Sequence, residues 1–448
     1  MNLPHTRKVP PGPREIPLLG SSLAVVKEPL EFLTRISKEY GDVVRFGLPG
    51  QDVYLFNHPD AIEEVLLTKH EAVIKDAFTR KISLVVGNGL LVSDGPFWRR
   101  QRKLAQPAFH HKRVNEYAEV MVRYTEELAD RFRGGEVRNV HRDMMRLTLA
   151  IVARTLFGVQ VDHLAAEIEE ALEVLVERFV GVNAIVPMYL PTPANIRARR
   201  AMRKLDSVVY GIIEQRRNTA DTGDLLSMLL TARAEDGTAM SDEQVRDESI
   251  TLLLAGHETT ALTLSFALHL LGRHPDVDAA LAREISEVLG DRPCTPADLP
   301  RLKIAEGVIR ESMRLYPPAW AIGREVVAPV EIAGYDLRPG TQIWAAQWVV
   351  HRDPRYFDRP EQFDPSRWCG DLAKRLPRFA YFPFGGGPRF CIGNTFAMME
   401  ATLILVTLLR RFRLSPTTTE RLKLNPAVTL RPEGGVNLSV GVRAAGKN

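Results

Sequence analysis

Apolar residues recur at helical spacing through most of the chain. Intervals of three and four residues run through 115–158 and 162–182, and they return in 395–412 after a glycine-rich loop. Residues 196–218 repeat the pattern with many basic positions, which is typical of an amphipathic helix with a solvated charged face. The pattern therefore predicts a mainly α-helical protein.

Short apolar runs typical of β-strands occur in two places. Residues 43–57 contain two such runs around a Pro-Gly turn, which predicts a hairpin, and 59–70 then predict a short helix. Residues 321–354 contain several short β-runs separated by Ala-Gly and Pro-Gly turns. We therefore expect small β-sheets beside the helices, an α+β arrangement.

One long helix is predicted in the middle of the chain. Ser241 and Gln244 form a potential capping box at its start, and a His-Pro pair ends it after Arg273. At ~1.5 Å per residue this helix is about 50 Å long and crosses the whole molecule. Its apolar middle is interrupted by Gly-His-Glu-Thr-Thr at 256–260. Because a mid-helix glycine costs ~1 kcal/mol relative to alanine, the interruption indicates function rather than an internally satisfied polar kink.

Composition narrows the class of protein. The 448 residues are 45% hydrophobic, enough for a large core, and 59 basic against 55 acidic residues are too balanced to indicate nucleic-acid binding. The three cysteines, Cys294, Cys369 and Cys391, form no CxxC pair, which argues against a disulfide framework or structural zinc and fits a reducing cytoplasm. No apolar stretch reaches the ~18 residues of a membrane span, so we expect a soluble protein without an anchor.

The glycine-rich loop at 384–393 is the strongest candidate for chemistry. Consecutive glycines let a backbone approach a flat ligand closely, and Cys391 precedes a predicted helix whose N-terminus would favour a thiolate. A lone cysteine is more often a small buried hydrophobe, and such a loop is often only a turn or an anion-binding nest. A phosphate-binding loop is disfavoured because no Gly-Lys-Ser/Thr ending follows.

The whole loop resembles the haem-binding signature of the cytochrome P450 family, F-x-x-G-x-R-x-C-x-G. The matching positions in this chain are Phe384, Gly385, Gly387, Arg389, Cys391 and Gly393. The resemblance implies haem b as cofactor, Cys391 as the axial thiolate ligand of the haem iron and Arg389 as a partner of a haem propionate.

Two more segments resemble propionate-binding positions of the family. Trp98 and Arg102 match W-x-x-x-R, although without Cys391 a surface arginine beside a packing tryptophan would be the better interpretation. Arg324 matches an arginine that reaches a propionate from a strand in many members. The segment around His351 also resembles a family segment, and a structural histidine and a haem contact both stay open for it.

The interrupted helix resembles the oxygen-activation motif of the family. Glu258 takes the position of the acid and Thr259 that of the catalytic threonine, so the resemblance implies that both help deliver protons. Glu311 and Arg314 match E-x-x-R, and Arg367 matches the arginine of a later motif. This triad is expected to support the haem loop, because a buried ion pair is a poor way to gain stability.

These matches, in the family's order, imply one domain over residues 1–448, led by a proline-rich segment at 1–20. The implied fold is the mainly α cytochrome P450 fold with small sheets, in which the long helix crosses the haem. The implied enzyme is a haem-thiolate monooxygenase that inserts one atom of O2 into a hydrophobic molecule, such as a fatty acid, terpenoid or steroid. We expect its pocket to involve segments 82–90, 179–189, 319–322 and 428–430, and in particular the residues Leu254, Ala255, Ala319, Trp320, Ile322 and Leu430.

Electrons are expected from outside the chain, because no flavin or iron–sulfur motif is present. A separate ferredoxin or flavodoxin with its reductase is implied, docking on the basic residues Arg99, Arg100, Lys103, Lys112, Arg113, Lys374, Arg375 and Arg378. Ordinary surface charge is the alternative for these residues, and a monomer is expected. Two other functions stay open on the same fold: a peroxygenase or isomerase without an electron donor, which Glu258 and Thr259 disfavour, and a non-catalytic haem or gas sensor.

Overall fold

The structure of the protein is a computed structural model, and it describes residues 8–158, 165–178, 186–218, 224–233 and 237–443. Its helices are α1 Ser22–Lys27, α2 Pro29–Tyr40, α3 Pro59–Glu63, α4 Ala77–Lys81, α5 Ser83–Val86, α6 Gly95–Ala105, α7 His111–Ala129, α8 Val140–Phe157, α9 Ala165–Glu177, α10 Pro193–Arg217, α11 Leu225–Thr231, α12 Asp242–Arg273, α13 Pro275–Leu289, α14 Lys303–Leu315, α15 Gln347–Val350, α16 Leu372–Arg375 and α17 Asn394–Arg411. Helices thus dominate, with small sheets beside them, as the sequence predicts.

The strands form small sheets. They are β1 Val43–Leu48, β2 Gln51–Phe56, β3 Val73–Lys75, β4 Val137–Asn139, β5 Ile322–Val326, β6 Val330–Ile332, β7 Tyr335–Leu337, β8 Gln342–Ala345, β9 Phe412–Pro416, β10 Leu424–Pro426, β11 Leu430–Pro432 and β12 Asn437–Val442. The largest sheet has the order β1-β2-β8-β5-β3, and β4-β12-β9, β10-β11 and β6-β7 form the others. The predicted hairpin at 43–57 is confirmed, with Val43 opposite Phe56.

Helix α12 begins and ends where the sequence predicts. The Ser241 hydroxyl accepts from the Gln244 N–H and the Gln244 side chain accepts from the Ser241 N–H, so the capping box is complete. Every residue from Val245 to Leu253 is buried, including three charged ones, so the helix runs through the interior instead of presenting a solvated face. Its apolar side chains join the largest hydrophobic cluster, which draws on residues from Ile82 to Val440.

One helix differs from the prediction. Residues 59–70 were expected to form a single helix, whereas α3 ends at Glu63 and a π-helical turn, Glu64–Thr68, follows. This turn lies against the glycine-rich loop, because a Cβ on Gly387 would stand 1.8 Å from the Leu66 carbonyl oxygen. Within the described residues, no helix has the length and hydropathy needed to cross a membrane.

Candidate functional site

A largely apolar cavity of about 340 Å³ lies between α12 and the glycine-rich loop. Ala255, Thr259 and Thr263 of α12 form one wall. Cys391 and the residues around it form the opposite wall, together with the first turns of α17. The two motifs that stand 130 residues apart in the chain therefore face each other across one space.

Cys391 has accessible surface and lines this cavity, while protein atoms surround its thiol. Burial raises the pKa of the thiol, while the Gly393 N–H and the nearby Arg102 guanidinium act in the opposite direction. The Cys391 N–H donates to the Phe384 carbonyl at 3.0 Å, which closes the loop on itself. Helix α17 begins at Asn394, so Cys391 precedes a helix N-terminus as predicted.

The glycines of the loop serve two different purposes. Gly385 and Gly387 have φ of +71° and +62°, a region that favours glycine. A Cβ on Gly386 would stand 2.2 Å from the Phe379 ring, so Gly386 and Gly387 are required by packing within the protein. A Cβ on Gly385 would meet only Ile322, at 3.5 Å, and both residues line the cavity. The close approach to a ligand that the sequence predicts is therefore a property of Gly385 rather than of all three glycines.

Cationic side chains gather at one end of the cavity. Arg102, Arg324 and Arg389 all line it, and burial lowers the pKa of each, that of Arg324 to about 10. The Arg389 guanidinium lies over the Trp98 ring at 4.3 Å from its centre, and Arg102 lies 5.7 Å from the same ring. The structure thus brings together the four residues that the sequence predicts for propionate binding.

Lys75 is a fourth cation of this group, and the sequence analysis missed it. It lies on β3 directly opposite Arg324 on β5, and its side chain lines the cavity. Burial and the charges of Arg324 and Arg389 hold its pKa well below its usual value. Like charges opposite each other destabilise a sheet, so this pairing is unexpected unless an anion lies beside it.

Few carboxylates offset these charges. Asp94 pairs with Arg389 and accepts the Lys75 N–H at 3.1 Å. The Asp76 side chain caps α4 by accepting from the Phe78 and Thr79 amides. Arg324 donates to its neighbour's carbonyl, that of Gly323, at 2.7 Å. The cavity end therefore has an excess of positive charge and fits a ligand with two acidic groups.

Thr259 of the interrupted helix lines the cavity. Its hydroxyl donates to the Ala255 carbonyl at 2.8 Å, and the Thr260 hydroxyl donates to that of Gly256 at 3.2 Å. With its hydrogen used in this way, the Thr259 oxygen can accept a hydrogen bond from a group in the cavity. Backbone bonding of this kind satisfies both hydroxyls within the helix.

Glu258 does not share this position, contrary to the expectation that it stands beside Thr259 at the site. Its side chain is buried outside the cavity lining, where Arg431 Nη2 lies 2.6 Å from Oε1 and the Thr429 hydroxyl donates to the same oxygen. Pairing with Arg431 and Thr429 holds the Glu258 carboxylate in this position, because a buried charge needs a partner of opposite charge or a hydrogen-bond donor. Arg431, on β11, was not predicted from the sequence. Thr429, just before that strand, lies in the segment 428–430 expected at the pocket, but it binds Glu258 instead.

The predicted triad of Glu311, Arg314 and Arg367 is assembled and fully buried at its centre. Two hydrogen bonds of 2.8 Å join Arg314 to Glu311, and Arg367 Nε donates to Glu311 Oε1 at 3.0 Å. Arg314 also donates to the carbonyls of His351, Pro360 and Gln362. The triad thus ties α14 to the segment that leads into the glycine-rich loop.

Of the predicted pocket residues, Ala255, Ala319 and Ile322 line the cavity. The other three are absent from the lining formed by the described residues. Leu254 packs against the main core, and the Trp320 indole donates to the Ala427 carbonyl at 2.9 Å. Leu430 packs with Leu262 and Phe266.

The predicted pocket segments differ in whether their residues line the cavity. Within 82–90, Leu90 lines the cavity, and Leu91 follows it. Of segment 179–189, residues 179–185 lie outside the described part of the chain. His351 is fully buried away from the cavity lining, and its Nε2 accepts the Phe382 N–H at 3.0 Å. This geometry favours the structural interpretation of His351 over a haem contact.

The arrangement of a thiol, a cationic end and a threonine-lined wall agrees with the comparison to known proteins. The family model described as Cytochrome P450 matches residues 10–439. The chain belongs to this family. Cyclooctatin synthase of Streptomyces melanosporofaciens is 39% identical over 437 residues, covering 96% of this chain and 93% of that protein.

Two further relatives are similar over nearly their full length. Cyclooctat-9-en-7-ol 5-monooxygenase of Streptomyces melanosporofaciens is 39% identical over 421 residues, 92% of this chain and 90% of that protein. Pentalenene oxygenase of Streptomyces avermitilis is 35% identical over 416 residues, 92% of each. The chain is a cytochrome P450 monooxygenase that uses O2 and needs a redox partner.

Cytochromes P450 bind haem b through a cysteine thiolate. The cavity fits that cofactor on three observations: a cysteine on one wall, glycine at the position where a Cβ would intrude, and four cations at one end for two propionates. A thiolate ligand makes the iron suited to cleaving the O–O bond.

Proposed function

We propose that this cytochrome P450 oxygenates a terpenoid, a carbocyclic hydrocarbon or alcohol of low polarity. The single observation that supports this most is the cavity wall, where Leu90, Leu91, Leu156 and Ala319 leave little for a charged substrate to bind. Relatives named for cyclooctat-9-en-7-ol and pentalenene point to the same class within the broader set of fatty acids, terpenoids and steroids.

A ligand titration tests the substrate class. Cyclooctat-9-en-7-ol, pentalenene, a long-chain fatty acid and a steroid are each added to the haem-loaded protein, and the shift of the haem absorption band is followed. We expect the two terpenoids to shift the band at micromolar concentration and to give oxygenated products with reductase and NADPH. A shift and product from the fatty acid alone would replace the terpenoid proposal.

In the proposed mechanism the Cys391 thiolate would ligate the haem iron, and Lys75, Arg102, Arg324 and Arg389 would hold the propionates, with Trp98 packed on two of the arginines. Phe384, Gly385 and Gly393 would line the cofactor site near Cys391. When bound, the haem supplies the activation of O2 and transfer of one oxygen atom to substrate.

Replacement of Cys391 by alanine should abolish the carbon monoxide difference band of thiolate ligation, whereas Cys369→Ala should retain it. A retained band in Cys391→Ala would refute the assignment.

Thr259 and Glu258 would handle protons. The Thr259 oxygen accepts from a donor in the cavity, and Glu258 would have to leave Arg431 before it could supply a proton there. Thr259→Ala should therefore release more peroxide per NADPH consumed. Thr125→Ala is the matched control, because it removes the same kind of hydroxyl bond from α7, outside the cavity lining. Unchanged coupling in Thr259→Ala would remove that hydroxyl from the mechanism.

We further propose a ferredoxin or flavodoxin as electron donor to a monomeric enzyme in the cytoplasm, formed as one domain over residues 1–448. Phe109 lies between α6 and α7, 3.7 Å from where a Gly393 Cβ would stand, so the junction of these two helices lies beside the glycine-rich loop. Arg378 is exposed and pairs with Glu63. The largest hydrophobic cluster, which draws on residues from Ile82 to Val440, supports the one-domain assignment.

A further inference from the structure

Two carboxylates of α12 hold the backbone of a short segment that precedes α6. The Asn88 N–H donates to Asp247 Oδ2 at 2.6 Å, and the Leu90 N–H donates to Glu248 Oε2 at 3.0 Å. Both carboxylates are buried, with 7% and 1% of their surface exposed. We call this arrangement the carboxylate latch: Asp247, Glu248 and the segment 87–90.

Glycines let the segment lie directly on the helix. A Cβ on Gly87 would stand 2.0 Å from Asp247 Oδ1, and Gly87 has φ of +60° at the end of α5. A Cβ on Gly89 would stand 2.0 Å from the Thr251 hydroxyl oxygen. Three consecutive contacts along one face of α12 therefore fix the path of the backbone at 87–90.

The carboxylates of the latch are buried, and burial disfavours the charged form of a carboxylate. Arg246 Nη1 offsets Asp247 at 2.8 Å and also binds Asp206 on α10. Glu248 has no such cation among its recorded contacts, and its Oε1 lacks a hydrogen-bond partner in the described structure. Burial raises the pKa of Glu248 to about 7. A buried carboxylate held in this way breaks a local rule of stability, which indicates a functional reason.

We find this functional reason in the residues that the latch positions. Leu90 and Leu91 form part of the cavity wall, and Thr251 and Leu252, on the next turn of α12, line the same space. The latch thus sets how far two leucines project toward the substrate. We propose that Asp247 and Glu248 are positioning residues that determine substrate selectivity by fixing Leu90 and Leu91. The inference rests on the proposed function, because it assumes that the cavity holds the substrate.

The test separates the latch from haem binding. Glu248→Leu removes the acceptor, Glu248→Gln retains a carbonyl acceptor at the same place, and Glu243→Leu changes an exposed carboxylate of the same helix. Amide hydrogen exchange of 87–91 is measured by mass spectrometry. Imidazole and the bulkier 4-phenylimidazole are titrated into each haem-loaded variant.

We expect Glu248→Leu to speed exchange at Leu90 by about tenfold or more, since a hydrogen bond to a charged acceptor contributes that much. Its affinity for 4-phenylimidazole should change severalfold while that for imidazole stays within about twofold. Glu248→Gln and Glu243→Leu should resemble the wild type in both measurements. Unchanged exchange, or equal changes for the two imidazoles, would overturn the latch, whereas failure of every variant to bind imidazole would refute the haem site instead.

Discussion

At the scale of single residues, the cationic end of the cavity brings together buried charges of the same sign. Lys75 and Arg324 face each other across two strands, and Arg389 lies near both, with its charge shared mainly with Asp94. Burial and, after it, the neighbouring cations favour the neutral forms of Lys75 and Arg324 and so lower their pKa values. Two carboxylates of a bound ligand would stabilise the charged forms of these cations and so lower the free energy of the folded protein.

This gives a prediction for Lys75. Lys75→Met should speed haem loss by about tenfold, because one charge-assisted contact to a propionate disappears. The free energy of unfolding of the apoprotein should stay equal or rise, since a cation is removed from a cationic cluster. Haem transfer to apomyoglobin and urea unfolding measure the two quantities.

Lys81→Met, an exposed change on α4, is the control and should leave both quantities unchanged. Equal haem loss from the two variants would argue that Lys75 has no role at the propionates.

The sequence predicted some residues of the site and missed others, for a physical reason. Cys391, Thr259 and Glu311 lie in short motifs, so they can be recognised from neighbouring positions in the sequence. Lys75 and Arg431 act through the pairing of β3 with β5 and the approach of β11 to α12. No local period marks such contacts, because they depend on which strands meet.

At the scale of elements, Glu258 joins α12 to the strand pair β10-β11. Its carboxylate is 4% exposed and is held by Arg431 and Thr429. Sequence spacing placed the helix correctly but could not assign the direction of Glu258, because a motif names a residue without its partner. The contact therefore has a structural role in addition to any role in proton transfer.

A double-mutant cycle tests that contact. Arg431→Met should lower the free energy of unfolding by about 3 kcal/mol, because it leaves a buried carboxylate unpaired. Adding Glu258→Gln should recover most of the loss, since the buried charge is removed as well. Urea unfolding at pH 7 measures all four proteins.

Arg413→Met is the matched control: Arg413 is half-exposed and lies 3.8 Å from Asp278, which retains Arg443. It should cost less than about 1 kcal/mol. Additive effects of Arg431→Met and Glu258→Gln would mean that the two side chains do not stabilise each other.

At the scale of the whole molecule, the sequence predicted the order of helices and small sheets well. Strong apolar periods determine α7, α8, α12 and α17, which pack into one core. The π-helical turn at Glu64–Thr68 was missed because its cause, the glycine-rich loop lying on Leu66, is more than 300 residues away. A contact between residues so far apart in sequence cannot be predicted from the pattern of neighbouring residues.

Partner docking is a property of the whole surface. The double variant Lys112→Glu/Lys374→Glu should slow haem reduction by an acidic ferredoxin about tenfold at low salt, because it reverses two exposed charges of the proposed docking surface. The difference should shrink as salt rises, since screening weakens charge steering. Stopped-flow reduction at several salt concentrations measures this.

Arg200→Glu on α10 is the control, because Arg200 is an exposed cation elsewhere on the chain. If it slows reduction as much per charge as the double variant does, net charge rather than a defined face governs the encounter.

Helix α12 also fixes the directions in which several functional side chains point relative to one another. Asp247 and Glu248 face the segment 87–90, Thr259 faces the cavity, and Glu258 faces β11, all measured around one axis. Inserting a single residue between Glu248 and Gly256 would turn everything beyond it by about 100° relative to everything before it. Latch, cavity wall and strand contact would then lose their common alignment at once, although the composition and hydrophobicity of the helix would hardly change. The length of this stretch, counted in residues, is therefore as much a part of the site as the side chains it carries.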